Sequence, residues 1–357
     1  MIGRALIAAT LCCASTPARA QNTDNPIHSI VTDLSASWTH GQTGITLAPK
    51  IDGFDRIEVV QNGSGEIDLW ATYKDPNSKT TVTVYVFRAS VPVVPIWFDR
   101  IVDTMHSPES FQRLGGKLMP EPITTAFTPP GDSNDSALRA VYAMDGGRFK
   151  STGTAVIPHD QWLITMRISS QTLDKNALDS TLARFIQNIR TGKHAQAAGP
   201  AKPLAACTDT LPIKPAKRAK KDPASSLMAG LLGSMAKDDS GEAGGGTDRT
   251  LSAPGTDYCR YPASNAYFGV YRRADMSGSY IVALSDAGVT IQVEPSLAAL
   301  MDNRKPQFDV RLSTLEQDYS FVPFLSLPTP EQAIQTTQTD QPVSSSDRSG
   351  NITLFKP

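Results

Sequence analysis

The side chains able to do chemistry are few, and their spacing is unhelpful to most reactions. Histidines stand at positions 28, 40, 106, 159 and 194. None pairs with another at i, i+4, the spacing that puts two zinc ligands on one helix face. Asp103 and His106 form the one Asp-x-x-His pair. With a serine carried close by the fold, they would make a carboxylate–imidazole–hydroxyl system of the kind that activates a nucleophile. Asp99 and Asp103 lie at i, i+4 with Arg100 and Arg113 as neighbours, and this pattern reads as a solvated helix face. Gly244-Gly245-Gly246 lacks the Lys-Ser/Thr of a phosphate loop, and no G-x-S-x-G elbow occurs. Asp238-Asp239 sit in a Gly-rich stretch with no dry pocket to tune an acid. No cofactor or metal is expected.

Gly131-Asp132-Ser133 resembles the first block of the GDS-type esterases. In those enzymes the block follows a buried strand, and a downstream Asp-x-x-His supplies the base. Here Pro129-Pro130 precede it and Asp103 to His106 lies upstream, so Ser133 reads as a loop turn.

The cysteines depend on the cellular address. Arg4, the apolar run Ala5 to Ala14 and Ala18-Arg19-Ala20 give the n-region, h-region and small-x-small site of a signal peptide over residues 1–20. Cleavage after Ala20 leaves Gln21 first and removes Cys12 and Cys13. Leu11 precedes Cys12 where a lipobox needs Gly or Ala, so a lipid anchor is not favoured. Cys207 and Cys259 remain, and in an oxidising compartment the simplest outcome is a disulfide between them. Without a nearby histidine they offer too few ligands for a metal site.

The elements behind these residues are organised around Thr80–Met105. In Thr80–Arg88, Val82, Val84 and Val86 alternate with Thr83, Tyr85 and Phe87, as in a central strand. Val94, Trp97, Phe98, Ile101, Val102 and Met105 then fall at helical spacing, with Pro95 in the first turn. Ser107-Pro108 is expected to end that helix. Strands are expected around Ile57–Val59 and Ile67–Tyr73, joined through Asn62-Gly63-Ser64-Gly65. A second round of strands covers Ile123–Phe127, Leu138–Met144, Phe149–Ile157 and Trp162–Ile168. A helix follows, with Thr172 as N-cap, Leu178, Leu182, Phe185, Ile186 and Ile189 as its stripe, and Gly192 past its end. Trp70, Tyr85 and Phe87 line either a ligand groove or a second packed layer.

This order of strands then helix, repeated over about 44–192, resembles the PsbP, Mog1 and DcrB-like group. The likeness is carried by the Asp75-Pro76 turn before Val82–Val86 and by the closing helix 173–190. It implies an exported envelope protein with an antiparallel sheet, and it implies no catalytic residue.

Residues 193–255 read as an Ala/Pro/Lys/Gly-rich linker. It holds a basic run, Lys214, Lys217, Arg218, Lys220 and Lys221. A short amphipathic segment follows at 225–237, with Leu227, Met228, Leu231, Leu232 and Met235. Together these mark a contact with a partner or an anionic membrane surface, set against the reading of a plain solvated linker. Strands resume after 256, with a hairpin turn at Ser285–Gly288, one or two helical turns at Leu297–Met301 and a helix opened by Thr329-Pro330. Residues 337–350 read as polar and mobile.

The fold class expected is therefore α+β. An antiparallel sheet with two covering helices fills 21–192, and a β-rich module fills 256–357. The chain has 357 residues, 40% of them hydrophobic and 19% charged, with a net charge of −1, so nucleic acid is not an indicated partner. The function expected is that of a periplasmic or secreted, non-catalytic protein binding an unknown protein or envelope component. A hydrolase with a site near His106 is the alternative.

Overall fold

Alternating strands that are apolar on both faces must be covered on both faces, and the first sheet is built that way. In the computed structural model, placement is described for residues 27–192, 198–220, 257–296, 299 and 306–355. Its strands are β1 (His28–Ser29), β2 (Trp38–Thr39), β3 (Thr46–Leu47), β4 (Lys50–Ile51), β5 (Phe54–Gln61), β6 (Asp68–Asp75), β7 (Thr80–Phe87), β8 (Lys117–Leu118), β9 (Ile123–Phe127), β10 (Ala137–Asp145), β11 (Ser151–His159) and β12 (Trp162–Ser170). The order across the sheet is β1-β5-β6-β7-β12-β11-β10-β8, with β4 also on β5 and β9 also on β10, while β2 and β3 pair separately. Every pairing in the sheet is antiparallel. The two strand rounds meet at β7 and β12, whose register places Tyr85 opposite Thr165.

Helix α1 (Val94–Met105), α2 (Pro108–Leu114) and α3 (Lys175–Gln187) follow the strands. Leu178, Leu182, Phe185, Ile186 and Ile189 seal one face of the sheet against Val82, Val84, Val86, Ile164 and Met166. Phe54 and Tyr73 meet Phe185 edge-on, each at 5.4 Å. The opposite face, through Phe87, Leu138, Ala140, Tyr142, Val156 and Leu163, packs on α1.

A second sheet runs β13 (Ala205–Ala206), β14 (Tyr258–Arg260), β15 (Phe268–Arg273), β16 (Tyr280–Leu284), β17 (Val289–Pro295), β18 (Phe308–Ser313), β19 (Gln317–Ser320), β20 (Ser344–Asp347) and β21 (Ile352–Leu354), in sequence order. All its pairings are antiparallel except β13 on β14. Tyr258, Tyr271, Ile281 and Ala283 join the α1 cluster. Val270, Tyr280, Val282, Ile291 and Val293 face the other way, onto a core with Phe321, Phe324 and Ala333 of α4 (Pro330–Thr339). The layers are therefore α3, first sheet, α1, second sheet and α4, in a mostly β, multi-sheet fold.

Several expectations are corrected. α1 does end ahead of Ser107-Pro108, as expected, but Pro108 also opens the unexpected α2, where the Ser107 hydroxyl caps the new helix by accepting from the Ser110 N–H at 3.2 Å. Asp174, not Thr172, caps α3, accepting from the Ala177 N–H at 2.8 Å. Gly192 is small for another reason than a left-handed cap: a Cβ there would lie 2.2 Å from the Thr43 carbonyl oxygen. The stretch 337–350 is built into α4 and β20, and β20 is paired on both sides. Part of the expected linker, 205–206, is a strand. It is held by the Cys207–Cys259 disulfide and by the Cys207 N–H donating to the Arg260 carbonyl at 2.9 Å. Of the turn expected at Leu297–Met301, only Ala299 is described, and it is buried.

Candidate functional site

The densest polar cluster lies where α1 meets the second sheet, on the helix face that the spacing assigned to water. Arg100 is completely buried. Its Nε donates to the Ser285 carbonyl at 2.9 Å, Nη1 to Asn265 O at 2.7 Å and to Asp103 Oδ2 at 2.9 Å, and Nη2 to Ala266 O at 2.8 Å. Arg260 of β14 reaches back to Asp99 Oδ1 at 2.7 Å and to both Asp103 oxygens at 3.1 and 2.9 Å. The Tyr271 hydroxyl donates to Asp99 Oδ2 at 2.6 Å. Gly269, two residues before Tyr271 on β15, leaves the room this needs, since a Cβ there would lie 2.1 Å from the Tyr271 oxygen.

The electrostatics follow from burial. Desolvation, then the neighbouring Asp99 charge, raises the Asp103 pKa above the usual carboxylate value, against the pull of Arg260 and Arg100. Burial opposes the Arg260 charge, but Asp99 and Asp103 outweigh it and hold that guanidinium more firmly protonated. Burial also pushes the Tyr271 phenol far up. Two guanidiniums and two carboxylates thus neutralise each other between α1 and the second sheet, with backbone carbonyls taking further Arg100 donors and Arg260 half-buried at the edge. This arrangement joins two sheets; every donor and acceptor named here points at protein.

Asp103 is therefore drawn towards Arg100 and Arg260. His106 is exposed, places Nδ1 2.8 Å from the Val102 carbonyl and sets its ring edge-on to Tyr142 at 5.3 Å. No hydrogen bond joins Asp103 to His106 among the described contacts. Ser133 lies in an exposed turn, its N–H held by its neighbour Asp132 at 2.7 Å. Among the described residues no group of three or more His, Cys, Asp or Glu side chains gathers as metal ligands.

A different face carries surface that is only half covered. α1 lies over β10 and β11, leaving the β5–β7 half of the same sheet face to other groups. There the register sets Val60, Trp70, Tyr85 and Thr165 in one row, and Glu58, Thr72, Thr83 and Arg167 in the next. Phe87 is buried, whereas Trp70 and Tyr85 are half-buried, with centroids 6.4 Å apart and planes tilted 39°. Burial raises the Tyr85 pKa; Arg167 and Arg113 pull it down, while Asp286 and Asp68 push it up. Arg167 pairs with Asp286 on the β16–β17 hairpin and donates to Thr104 Oγ1 at 3.2 Å. Two aromatic rings bordered by charges of both signs can take a flat or ring-bearing ligand through stacking and hydrogen bonds.

The basic residues singled out in the sequence divide. Lys214, Lys217 and Lys220 are exposed. Arg218 is half-buried, pairing with Asp340 at 2.5 Å and lying 4.5 Å over the Phe324 ring. Lys221, Leu227, Met228, Leu231, Leu232 and Met235 lie outside the described residues. Arg260 and Tyr271 of the inter-sheet cluster were missed by sequence reasoning, and Arg100 was read as part of a solvated face, whereas it is fully buried. One signal was available: Ile96 stands i−3, i−4 and i−7 to Asp99, Arg100 and Asp103, so an isoleucine shares the supposedly wet face, and it is fully buried. Compared with protein-family models, curated proteins and solved structures, the chain matches none.

Proposed function

We propose that this is an exported, non-catalytic binding protein of the cell envelope or exterior. The observation that carries the proposal is the Cys207–Cys259 disulfide, which fits an oxidising compartment. The Ala18-Arg19-Ala20 processing pattern supports the same address. No helix among the described residues is long and apolar enough to cross a membrane. The binding face in this reading is the half-covered sheet around Trp70 and Tyr85. We read 21–192 and 256–357 as two α+β modules locked together by the Arg100–Asp103–Arg260 cluster, and the first module as PsbP/Mog1/DcrB-like in element order.

The test is mass spectrometry on protein taken from its own cells, without reduction. The expected result is a mature N-terminus at Gln21 and an intact Cys207–Cys259 peptide pair. Protein that keeps Met1, with both thiols free, would overturn the reading. Crosslinking in the same preparation identifies the bound component, and Trp70→Ala is expected to abolish its capture.

A further inference from the structure

We infer that the segment 211–220 is a preformed docking ridge for an anionic lipid bilayer. Leu211-Pro212-Ile213-Lys214-Pro215-Ala216-Lys217-Arg218-Ala219-Lys220 places lysines at every third position. In a proline-fixed extended chain with three residues per turn, such positions share one edge, roughly 9 Å apart. Burial is graded along the segment: Ile213, Lys214 and Pro215 are all exposed, while from Ala216 onward exposed Lys217 and Lys220 flank half-buried Arg218 and buried Ala219.

The segment is clamped from beneath. The Ala216 N–H donates to Gln332 Oε1 at 2.8 Å, and Gln332 Nε2 returns a bond to the Ala216 carbonyl at 3.0 Å. Arg218 donates to Thr336 Oγ1 at 2.8 Å and pairs with Asp340. The Ala219 N–H donates to Pro323 O, and the Leu325 N–H to Lys217 O, both at 2.8 Å. Four anchors therefore hold the backbone while the three ammonium groups point away.

Two further observations select the occupant. Among the described residues, no carboxylate pairs with Lys214, Lys217 or Lys220, although Asp340 of α4, which faces this segment, is taken by Arg218. Ile213, beside Lys214, is 93% exposed, and Leu325, bonded through its N–H to Lys217, is 49% exposed. Aliphatic side chains standing beside exposed ammoniums suit the bilayer interface, where phosphates meet the lysines and acyl chains receive the isoleucine. A soluble polyanion would use the lysines alone. The ridge is short, so attachment is weak, reversible and sensitive to salt.

This inference deepens the envelope reading above, but its test does not use localisation. The mature full-length chain is floated with vesicles of phosphatidylcholine alone or with about 30 mol% phosphatidylglycerol. The expected result is at least about tenfold stronger partitioning to the anionic vesicles, lost at about 0.5 M salt. Replacing Lys214, Lys217 and Lys220 together by Gln is expected to weaken partitioning about a hundredfold, near fivefold per lysine. Ile213→Ser is expected to weaken it several-fold at the same charge. Unchanged thermal midpoints establish that these surface variants are folded. Equal partitioning to both vesicles, or an unaffected triple variant, overturns the inference. Binding to heparin that matches vesicle binding and ignores Ile213→Ser assigns the ridge to a soluble polyanion instead. A mature, oxidised protein that fails to float removes this inference and leaves the export reading standing.

Discussion

Both faces of the first sheet are closed by apolar side chains, but on one of them the covering helix also carries an ionic joint to a second sheet. Under α3 the closure is apolar: Phe185, Leu182 and Ile186 rest on Val82, Val84 and Met166, all essentially without solvent exposure. On the other face α1 is itself covered by a second sheet through Tyr258, Ile281 and Ala283, and Arg100, Asp99, Asp103, Arg260 and Tyr271 add an ionic joint there. The apolar closure is non-directional and tolerates repacking. The ionic joint has fixed geometry, because each guanidinium N–H must find its own acceptor. Both faces supply burial; the joint specifies how the second sheet sits.

The sharpest way to break that comparison is to remove the buried cation. Arg100→Ala leaves three backbone carbonyls without their donor and Asp103 with Arg260 alone, and it is expected to cost about 5 kcal/mol in urea unfolding. Arg100→Lys should recover little, because one ammonium cannot reproduce the fork. Phe185→Ala, the matching insult to the apolar face, is expected to cost about 4 kcal/mol through lost contact and cavity. The two should differ in kind: conservative Phe185→Leu retains most stability.

Next in size is the disulfide. Cys207 and Cys259 are 52 residues apart, and replacing both by Ser is expected to lower stability by about 4 kcal/mol at most on the chain-entropy view. The loss should be read by thermal unfolding against the reduced wild type, which should match the variant.

The smallest effect is in acid. His40 is fully buried, with Nδ1 2.7 Å from Thr43 Oγ1 and Nε2 2.9 Å from the Glu66 carbonyl, and burial lowers its pKa below the ordinary 6.5. The unfolded chain therefore takes the proton first. Stability from His40 is intact above pH 6.5 and is lost as pH falls from there through the lower folded value. Asp103 has the opposite sign. Its folded pKa is raised above 3.8, so the native state takes the proton first, and this group adds stability as pH falls towards 3.8. Melting midpoints should fall as pH drops from about 7.5 to about 5. His40→Gln should flatten that decline, and Asp103→Asn should leave it.

The same contrast decides what could be read from sequence. Strands β6, β7, β11 and β12 were legible because alternation reports a buried pleat, and α3 because five apolar residues at helical spacing suffice to define a covered side. The disulfide followed from setting Cys12 and Cys13 aside as part of an expected signal peptide. The inter-sheet cluster was not legible in the same way. Asp99 and Asp103 at i, i+4 look identical whether water or Arg260 faces them, and Arg260 is 157 residues from Asp103. Ser344–Asp347 was misread for a related reason: Ser-Ser-Ser-Asp has loop composition, yet two neighbouring strands hold it. Thr172 and Asp174 are both good caps, and only the geometry chooses Asp174.

The cooperativity of the two sheets tests the central claim most directly. All four tryptophans, at 38, 70, 97 and 162, belong to the first part of the chain. Tryptophan fluorescence therefore follows the first sheet during urea unfolding, and hydrogen exchange read by mass spectrometry on peptides from β15 and β16 follows the second. If the Arg100–Asp103–Arg260 cluster joins them, both probes give one midpoint in the wild type and separate in Arg100→Ala. Two distinct midpoints in the wild type would contradict that joint.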